Sequence, residues 1–176
     1  MGKPKITDKR WSIDLEKRIQ EEHYGETYNN RYSFNPDSKK EIFVIDTPPP
    51  YPSGTWHIGA VAQYSMIDVI ARSQRLLGKE VYFPWGVDRN GINIEFTVEK
   101  KTGKKMRTFN RGDFIDICRD TIEEYTQAMR ETACRVGLSC SFENEYLTDS
   151  PEYRSVTQSI FVDLFKHGNI VEDLRP

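Results

Sequence analysis

The segment from Ile45 to Ala60 holds the residues of this chain whose types and spacing best suit chemistry on an anion. It reads IDTPPPYPSGTWHIGA, an apolar strand end, a proline-rich loop, and a histidine followed two positions later by glycine. A helix that begins here would direct unpaired N–H groups and the positive end of its dipole at a bound anion. We therefore expect a phosphate site in which Gly59 lets a flat group approach the backbone. His57 would donate a hydrogen bond to the phosphate as charge develops there.

The elements that must position this loop follow from the apolar spacing. Residues 42–46 form the first predicted strand, residues 56–77 the first helix, and residues 81–83 a second short strand that Pro84 ends. Such a strand–helix–strand unit favours a parallel sheet with a right-handed crossover. Open α/β sheets bind ligands at the carboxyl ends of their strands. The loops that follow the two predicted strands lie at that edge. The apolar residues at helical spacing in the first helix are Ile58, Val61, Ala62, Met66, Val69, Ile70 and Leu77.

The rest of the chain predicts a helical extension and further helices. Residues 1–40 are polar and contain one predicted helix, from about Ser12 to Glu22, which we expect to pack on the main domain. The elements expected after the second strand are a helix or irregular segment from 92 to 99, a basic surface loop from 100 to 105, a long helix from 113 to 136, a possible strand from 142 to 147, and a helix with an apolar face that begins at Ser150-Pro151.

Two segments resemble motifs of the class I aminoacyl-tRNA synthetases. The first loop is similar to their P-x-P-x-x-x-G-x-x-H-x-G-H motif, and the segment PWGVDRNGINIE (Pro84 to Glu95) is similar to their G-x-D-x-x-G-x-x-x-E motif. The lead-in DTPPP resembles the valyl members, and PSG-x-WHIGA resembles their archaeal branch. The similarity includes Trp11 to Tyr24 and so covers nearly the whole chain. Ala60 departs from the motif, since the family usually has a second histidine there; either His57 acts alone or another group helps it.

The resemblance implies an α/β fold, with residues 41–176 as the first half of a Rossmann-like, parallel-sheet nucleotide-binding catalytic domain. Residues 1–40 would be its N-terminal extension. We expect an amino-terminal fragment that stops before the editing insertion, because the family's K-M-S-K-S loop and anticodon-binding domain do not follow. The basic residues at 100–105 have the wrong order and position for that loop. By itself such a fragment would be weakly active or inactive.

The resemblance also implies the site residues. Those expected to bind ATP, with His57 as the catalytic residue, are Pro50, Ser53, Gly54, His57, Gly59 and Ala60. The amino acid would contact Pro48, Tyr51 and Asp88, with its α-ammonium group held by the Pro48 carbonyl and the Asp88 carboxylate. Charge agrees with this role, because an aspartate is ionised at neutral pH. The simpler alternatives are that Asp88 only caps a turn and that His57 is an exposed residue at a helix start.

The implied reaction is ATP-dependent activation of valine to valyl adenylate, followed by transfer to tRNA(Val). Mg²⁺ would accompany the ATP phosphates, and no metal site of the protein is expected. Three alternatives stay open: an isoleucyl- or leucyl-type enzyme, because most of the side-chain pocket is implied to lie beyond residue 176; a non-catalytic nucleotide-binding fragment or paralogue; and a dinucleotide-dependent oxidoreductase. The last is disfavoured, because no G-x-G-x-x-G follows the first strand.

Composition and charge argue against several other classes of protein. The 176 residues suffice for one domain with a core, and a net charge of −2 argues against a basic module that mainly grips nucleic acid. No apolar run approaches the roughly 18 residues of a membrane span, and the start MGKPK lacks an apolar signal segment. We therefore expect a cytoplasmic protein with no membrane contact and no obligate protein partner. Its three cysteines, without a C-x-x-C pair, are expected to be reduced core residues.

Overall fold

The computed structural model describes residues 10–23, 31–54 and 56–174 of the chain. Its elements in chain order are α1 (Ile13–His23), β1 (Ile42–Val44), α2 (Ile58–Leu76), β2 (Glu80–Tyr82), β3 (Pro84–Val87), α3 (Asn93–Thr102), a 3₁₀ turn (Met106–Thr108), α4 (Arg111–Val136), β4 (Ser141–Leu147) and α5 (Pro151–Lys166).

The strands pair in parallel, as the sequence predicts. β1 pairs with β2, with Phe43 opposite Val81, and β3 pairs with β4, with Val87 opposite Leu147. The β3–β4 register shifts at an irregularity near Gly86. An α/β architecture with short parallel strands is therefore confirmed.

β2 and β3 form one nearly continuous stretch between β1 and β4. The Ile45 N–H donates to the Tyr82 carbonyl at 2.9 Å, and the Ser141 N–H donates to the Phe83 carbonyl at 2.7 Å. Successive carbonyls of an extended chain point to opposite sides, so β1 and β4 flank this stretch. The second strand ends before Pro84, as predicted, but Pro84 begins a further strand, β3, that the sequence did not predict; a strand tolerates proline at its first position.

α2 buries a different face from the one predicted. Its buried residues are Tyr64, Asp68 and Ala71. The exposed apolar residues on or next to this helix are Ile58, Met66, Val69, Ile70, Leu76 and Leu77. Helical spacing alone indicates an apolar stripe, whereas burial here follows the hydrogen bonds of two polar side chains, Tyr64 and Asp68.

The later helices agree in position and differ in detail. α3 continues through Lys100 and Lys101, so the predicted basic loop begins as a helical turn and then leaves the helix at Gly103, whose φ is +69°. α4 begins after the N-cap Asn110. Its buried residues include Phe114, Ile122, Met129 and Ala133, which recur at helical spacing. α5 begins after the N-cap Ser150 as predicted, but its apolar face is exposed, with no buried residue.

An aromatic cluster lies at the centre of the core. Trp85 of β3 is 2% exposed and packs against Phe142 of β4, with ring centroids 5.5 Å apart. Trp56 and Tyr64 cover the other side of Trp85 at 5.8 and 6.4 Å. This cluster places the end of the β1–α2 loop directly against the central strand.

Residues 31–40 contact the main domain through Tyr32 and Phe34. The guanidinium groups of Arg72 and Arg75 lie 5.4 and 5.0 Å from the Tyr32 ring, and Phe34 packs on Tyr82. The domain boundary at residue 40 stays a prediction.

The structure shows the state of the three cysteines and whether a described helix could span a membrane. Cys118, Cys134 and Cys140 are free, and burial raises the pKa of each thiol. Among the described residues, no helix combines the length and the hydropathy needed to cross a bilayer.

Candidate functional site

His57 is the N-cap residue of α2. Its backbone is extended, with φ −81° and ψ 160°, and its Nδ1 accepts a hydrogen bond from the Ala60 N–H at 3.2 Å. Because Nδ1 is the acceptor, the proton of a neutral imidazole must be on Nε2. The side chain is exposed. His57, the residue predicted to donate to a phosphate, is therefore held by the first turn of α2 through Nδ1. Its Nε2–H is left to donate to a ligand.

The glycines of the loop have separate structural functions. Gly54 has φ +133°, a conformation that side-chain-bearing residues rarely adopt. At Gly59 an added Cβ would lie 3.0 Å from Cε1 and Nδ1 of His57. The bare Cα of Gly59 thus makes room for the imidazole of His57, whereas its predicted contact with a flat ligand group stays a prediction.

Tyr64 holds the proline-rich loop against α2. Its hydroxyl donates to the Pro48 carbonyl at 2.9 Å, and its ring stacks on Trp56 at 5.0 Å with an interplanar angle of 20°. Burial raises the pKa of Tyr64 to about 12, so the hydroxyl stays a donor at neutral pH. A carbonyl oxygen has two lone pairs, and Pro48 therefore keeps one for a ligand.

Asp88 lies directly after β3 and joins the two motif segments. Its N–H donates to the Pro50 carbonyl at 2.9 Å. Its Oδ1 accepts from the Asn90 N–H at 3.1 Å and from the Thr148 hydroxyl at 3.1 Å. Within the described part of the chain, Oδ2 has no donor. One oxygen therefore caps the turn, as the simpler interpretation expected, and the other is left for a ligand.

Tyr51 lies close enough to Asp88 for their charges to interact. Burial raises the pKa of the Tyr51 hydroxyl, and the negative charge of Asp88 also contributes. The hydroxyl is buried next to the backbone of Ile94 and has no well-formed hydrogen bond among the described residues. A buried donor without a partner costs about 1–3 kcal/mol.

Two further residues predicted to bind ATP, Ser53 and Ala60, each donate a backbone hydrogen bond within the loop. Ser53 is exposed, and its N–H donates to the Tyr51 carbonyl at 3.0 Å. The Ala60 N–H is already engaged by His57.

In the ranges 10–23, 31–54 and 56–174, no group of three or more His, Cys, Asp or Glu side chains could hold a metal ion.

Thr148, to which no sequence motif assigns a role, forms hydrogen bonds with the Asp88 loop. It is 6% exposed and follows β4 at the same sheet edge where Asp88 follows β3. Arg89 lies beside it and forms ion pairs with Glu123 at 2.7 Å and Asp149 at 3.1 Å. The only available signal was its position, one residue beyond a predicted strand.

Comparisons with known proteins cover most of the chain. The family model for tRNA synthetases class I (I, L, M and V) matches residues 19–176. The valine–tRNA ligase of Thermoplasma volcanium is 44% identical over 148 residues, which are 84% of this chain and 19% of that protein. The valine–tRNA ligase of Aeropyrum pernix is 40% identical over 179 residues, covering 99% of this chain and 22% of that protein.

Similarity extends to a bacterial relative and to a solved structure. The valine–tRNA ligase of Rickettsia akari is 40% identical over 146 residues, covering 82% of this chain and 18% of that protein. The chain thus spans about a fifth of the length of these relatives. The LeuRS of Agrobacterium radiobacter K84, solved in a ternary complex with tRNA and LeuAMS, superposes with a TM-score of 0.65 at 29% identity, covering 87% of this chain and 17% of that one.

Proposed function

We propose that this chain, which belongs to the class I tRNA synthetase family, binds ATP and valine for the activation step of a valine–tRNA ligase. The observation that carries the proposal is the 2.9 Å hydrogen bond from the Asp88 N–H to the Pro50 carbonyl. It ties the carboxylate-bearing loop to the loop that leads to the α2 N-terminus. An anion site and a cation site then lie along one edge of the sheet, as an α-amino acid joined to a nucleotide phosphate requires.

The α2 N-terminus supports the assignment of the phosphate side. The N–H groups of Ile58 and Gly59 belong to the first turn of the helix and have no acceptor among the described residues. Together with the helix dipole they favour an anion at this position. The Nε2–H of His57 would add a third donor, which strengthens as negative charge accumulates on the α-phosphate.

Three groups around Asp88 support the assignment of the amino acid side. Oδ2 of Asp88 provides the negative charge and the second lone pair of the Pro48 carbonyl an additional acceptor for an ammonium group. Tyr51 lies beside Asp88 and would flank the amino acid. Valine itself is inferred from the names of relatives such as the valine–tRNA ligases of Thermoplasma and Aeropyrum, at 39–44% identity.

The chemistry asked of these residues is positioning and charge stabilisation. The valine carboxylate would attack the α-phosphate of ATP, releasing pyrophosphate and forming a mixed anhydride. Mg²⁺ would arrive with ATP and be held mainly by the phosphates. The acyl group would then pass to tRNA(Val). Three free cysteines, of which Cys140 is buried, are in keeping with action in the cytoplasm, where disulfides are rare.

A titration with a non-hydrolysable valyl adenylate analogue tests the site. Asp88→Ala is expected to weaken binding by about 10- to 100-fold, the range for a hydrogen bond to a charged group, and His57→Ala is also expected to weaken it. Asp116→Ala and His167→Ala, at exposed positions on α4 and at the end of α5, are matched controls. Unchanged affinity in both site variants would show that the site is misplaced.

Turnover is a separate question, decided by valine-dependent ATP–pyrophosphate exchange on the 176-residue chain. We expect weak exchange, because one imidazole and two helix N–H groups are few donors for a triphosphate. Robust exchange would refute the alternative that this chain only binds the nucleotide.

A further inference from the structure

Thr148 lies next to the carboxylate to which the proposed function assigns the substrate ammonium. We infer that Thr148 is a positioning residue for Asp88: its hydrogen bond to one carboxylate oxygen orients the carboxylate so that the other oxygen faces the substrate. This inference depends on the proposed function, since it takes Asp88 as the ammonium partner. Thr148 itself would touch neither substrate nor reacting atoms.

The hydroxyl of Thr148 makes three hydrogen bonds, which fix the direction of its proton. It accepts from the Arg89 N–H at 2.8 Å and from Nδ2 of Asn90 at 2.9 Å. A hydroxyl has two lone pairs and one proton, so both acceptor positions are filled by groups that can only donate. The proton must then go to Oδ1 of Asp88, 3.1 Å away.

The orientation of the Asn90 amide is set by the same residue. Nδ2 also lies 3.1 Å from the Thr148 carbonyl, which can only accept, so the nitrogen and not the oxygen must face Thr148. The Asn90 N–H in turn donates to Oδ1 of Asp88. Two donors thus hold Oδ1, and Oδ2 is the oxygen left for the ammonium.

The strand register places Thr148 at this point. Val87 pairs with Leu147, and the Thr148 N–H donates to the Val87 carbonyl at 3.1 Å. Asp88 and Thr148 are the next residues on the two paired strands, so the sheet itself brings the hydroxyl to the carboxylate. The hydrogen bond therefore connects a backbone-fixed donor to the Asp88 carboxylate, whose rotation about χ1 and χ2 only the Asn90 N–H would otherwise restrict.

A purely structural role for Thr148 makes a different prediction. If its hydroxyl only satisfied the N–H groups of the Asp88 loop, removing it would lower stability and weaken all ligands alike. If it holds Asp88 in place, removing it lowers affinity specifically for ligands with an α-ammonium group. The comparison of two ligands that differ only in that group separates the two roles.

The experiment uses a non-hydrolysable valyl adenylate analogue and the same compound without its α-amine, titrated against the 176-residue chain by calorimetry. The wild type is expected to prefer the amine by about 100-fold, and Asp88→Ala to lose that preference. Thr148→Val should reduce the preference about tenfold while leaving the affinity for the desamino compound within about twofold. Thr148→Ser, which keeps the hydroxyl, should behave as wild type; Thr148→Ala replaces the valine variant if that fails to fold.

The outcomes separate the two proposals. If Asp88→Ala loses the preference and neither Thr148→Val nor Thr148→Ala changes it, the role of Thr148 is overturned and the proposed function stands. If both compounds weaken equally in the Thr148 variants, the residue is merely structural. If the wild type shows no preference for the amine, or binds neither compound, the proposed site fails and the role of Thr148 fails with it.

Discussion

His57 has two separable functions in this structure, and the substitution His57→Asn tests them independently. Nδ1 caps α2 through the Ala60 N–H, while Nε2 is the proposed phosphate donor. Asparagine is among the best N-cap residues, but its short side chain would be committed to the cap and would not extend to a phosphate. His57→Ala removes both functions and is the matched comparison.

The expected magnitudes follow from each contact. Loss of an N-cap costs about 1 kcal/mol, which lowers Tm by about 2–4 °C in a chain of this size. His57→Ala should show that decrease, and His57→Asn should melt at or slightly above the wild-type temperature. Loss of a hydrogen bond to a charged phosphate costs about 1.5–3 kcal/mol, so both variants should bind a non-hydrolysable ATP analogue about 10- to 100-fold more weakly.

Thermal denaturation and calorimetric titration on the same samples give the two readouts. Wild-type nucleotide affinity in His57→Asn would refute the phosphate role and leave His57 as a cap alone. Equal melting temperatures for wild type, His57→Asn and His57→Ala would refute the cap instead. Because the two measurements respond to different nitrogens of one ring, neither result can be explained by the other.

Three further substitutions test the scaffold, each by urea denaturation. Gly86→Ala should cost about 1–3 kcal/mol, because the new Cβ would lie 2.3 Å from the Tyr146 ring; the double variant with Tyr146→Leu should recover part of it. Burial raises the pKa of Tyr64 to about 12, so the unfolding free energy should fall by up to about 2 kcal/mol as the pH rises from 10 to 12, and Tyr64→Phe should remove that part of the pH dependence. Asp68→Ala should lower the unfolding free energy by about 3 kcal/mol. In the wild type the Ser139 N–H lies 2.7 Å from the Asp68 carboxylate, and the variant leaves it without an acceptor.

Local chemistry made much of the fold predictable. The proline-rich loop, the histidine at a helix start and the Ser150-Pro151 pair depend on a few neighbouring residues. Together with the apolar spacing they predict the positions of α2, α4 and α5 within about two residues. The family resemblance read from the two motifs is confirmed over residues 19–176, as are valine–tRNA ligases as its relatives.

The choice of buried face was not predictable, because it depends on partners distant in sequence. The Asp68 carboxylate of α2 accepts from the Ser139 N–H and from Nε of Arg72, at 2.7 and 2.6 Å. Arg75 donates to the Ser139 carbonyl at 2.8 Å. These contacts turn a polar stripe of α2 inward, while apolar residues such as Met66 stay exposed. Periodicity ranks side chains by polarity alone and cannot anticipate satisfied polar groups.

The same argument explains what was missed at the candidate site. A motif identifies Asp88 by its spacing from Gly86 and Gly91, but the free oxygen of its carboxylate depends on a donor 60 positions away in the chain. That donor reaches it because β3 and β4 are parallel neighbours, so their carboxyl ends coincide at one edge. The Pro50 carbonyl arrives at this edge for the same reason, since β1 is parallel to β2 on the opposite side. Three loops that are separate in sequence therefore share one hydrogen-bond network, in which the parallel order of the strands, and no single motif, sets the orientation of the Asp88 carboxylate.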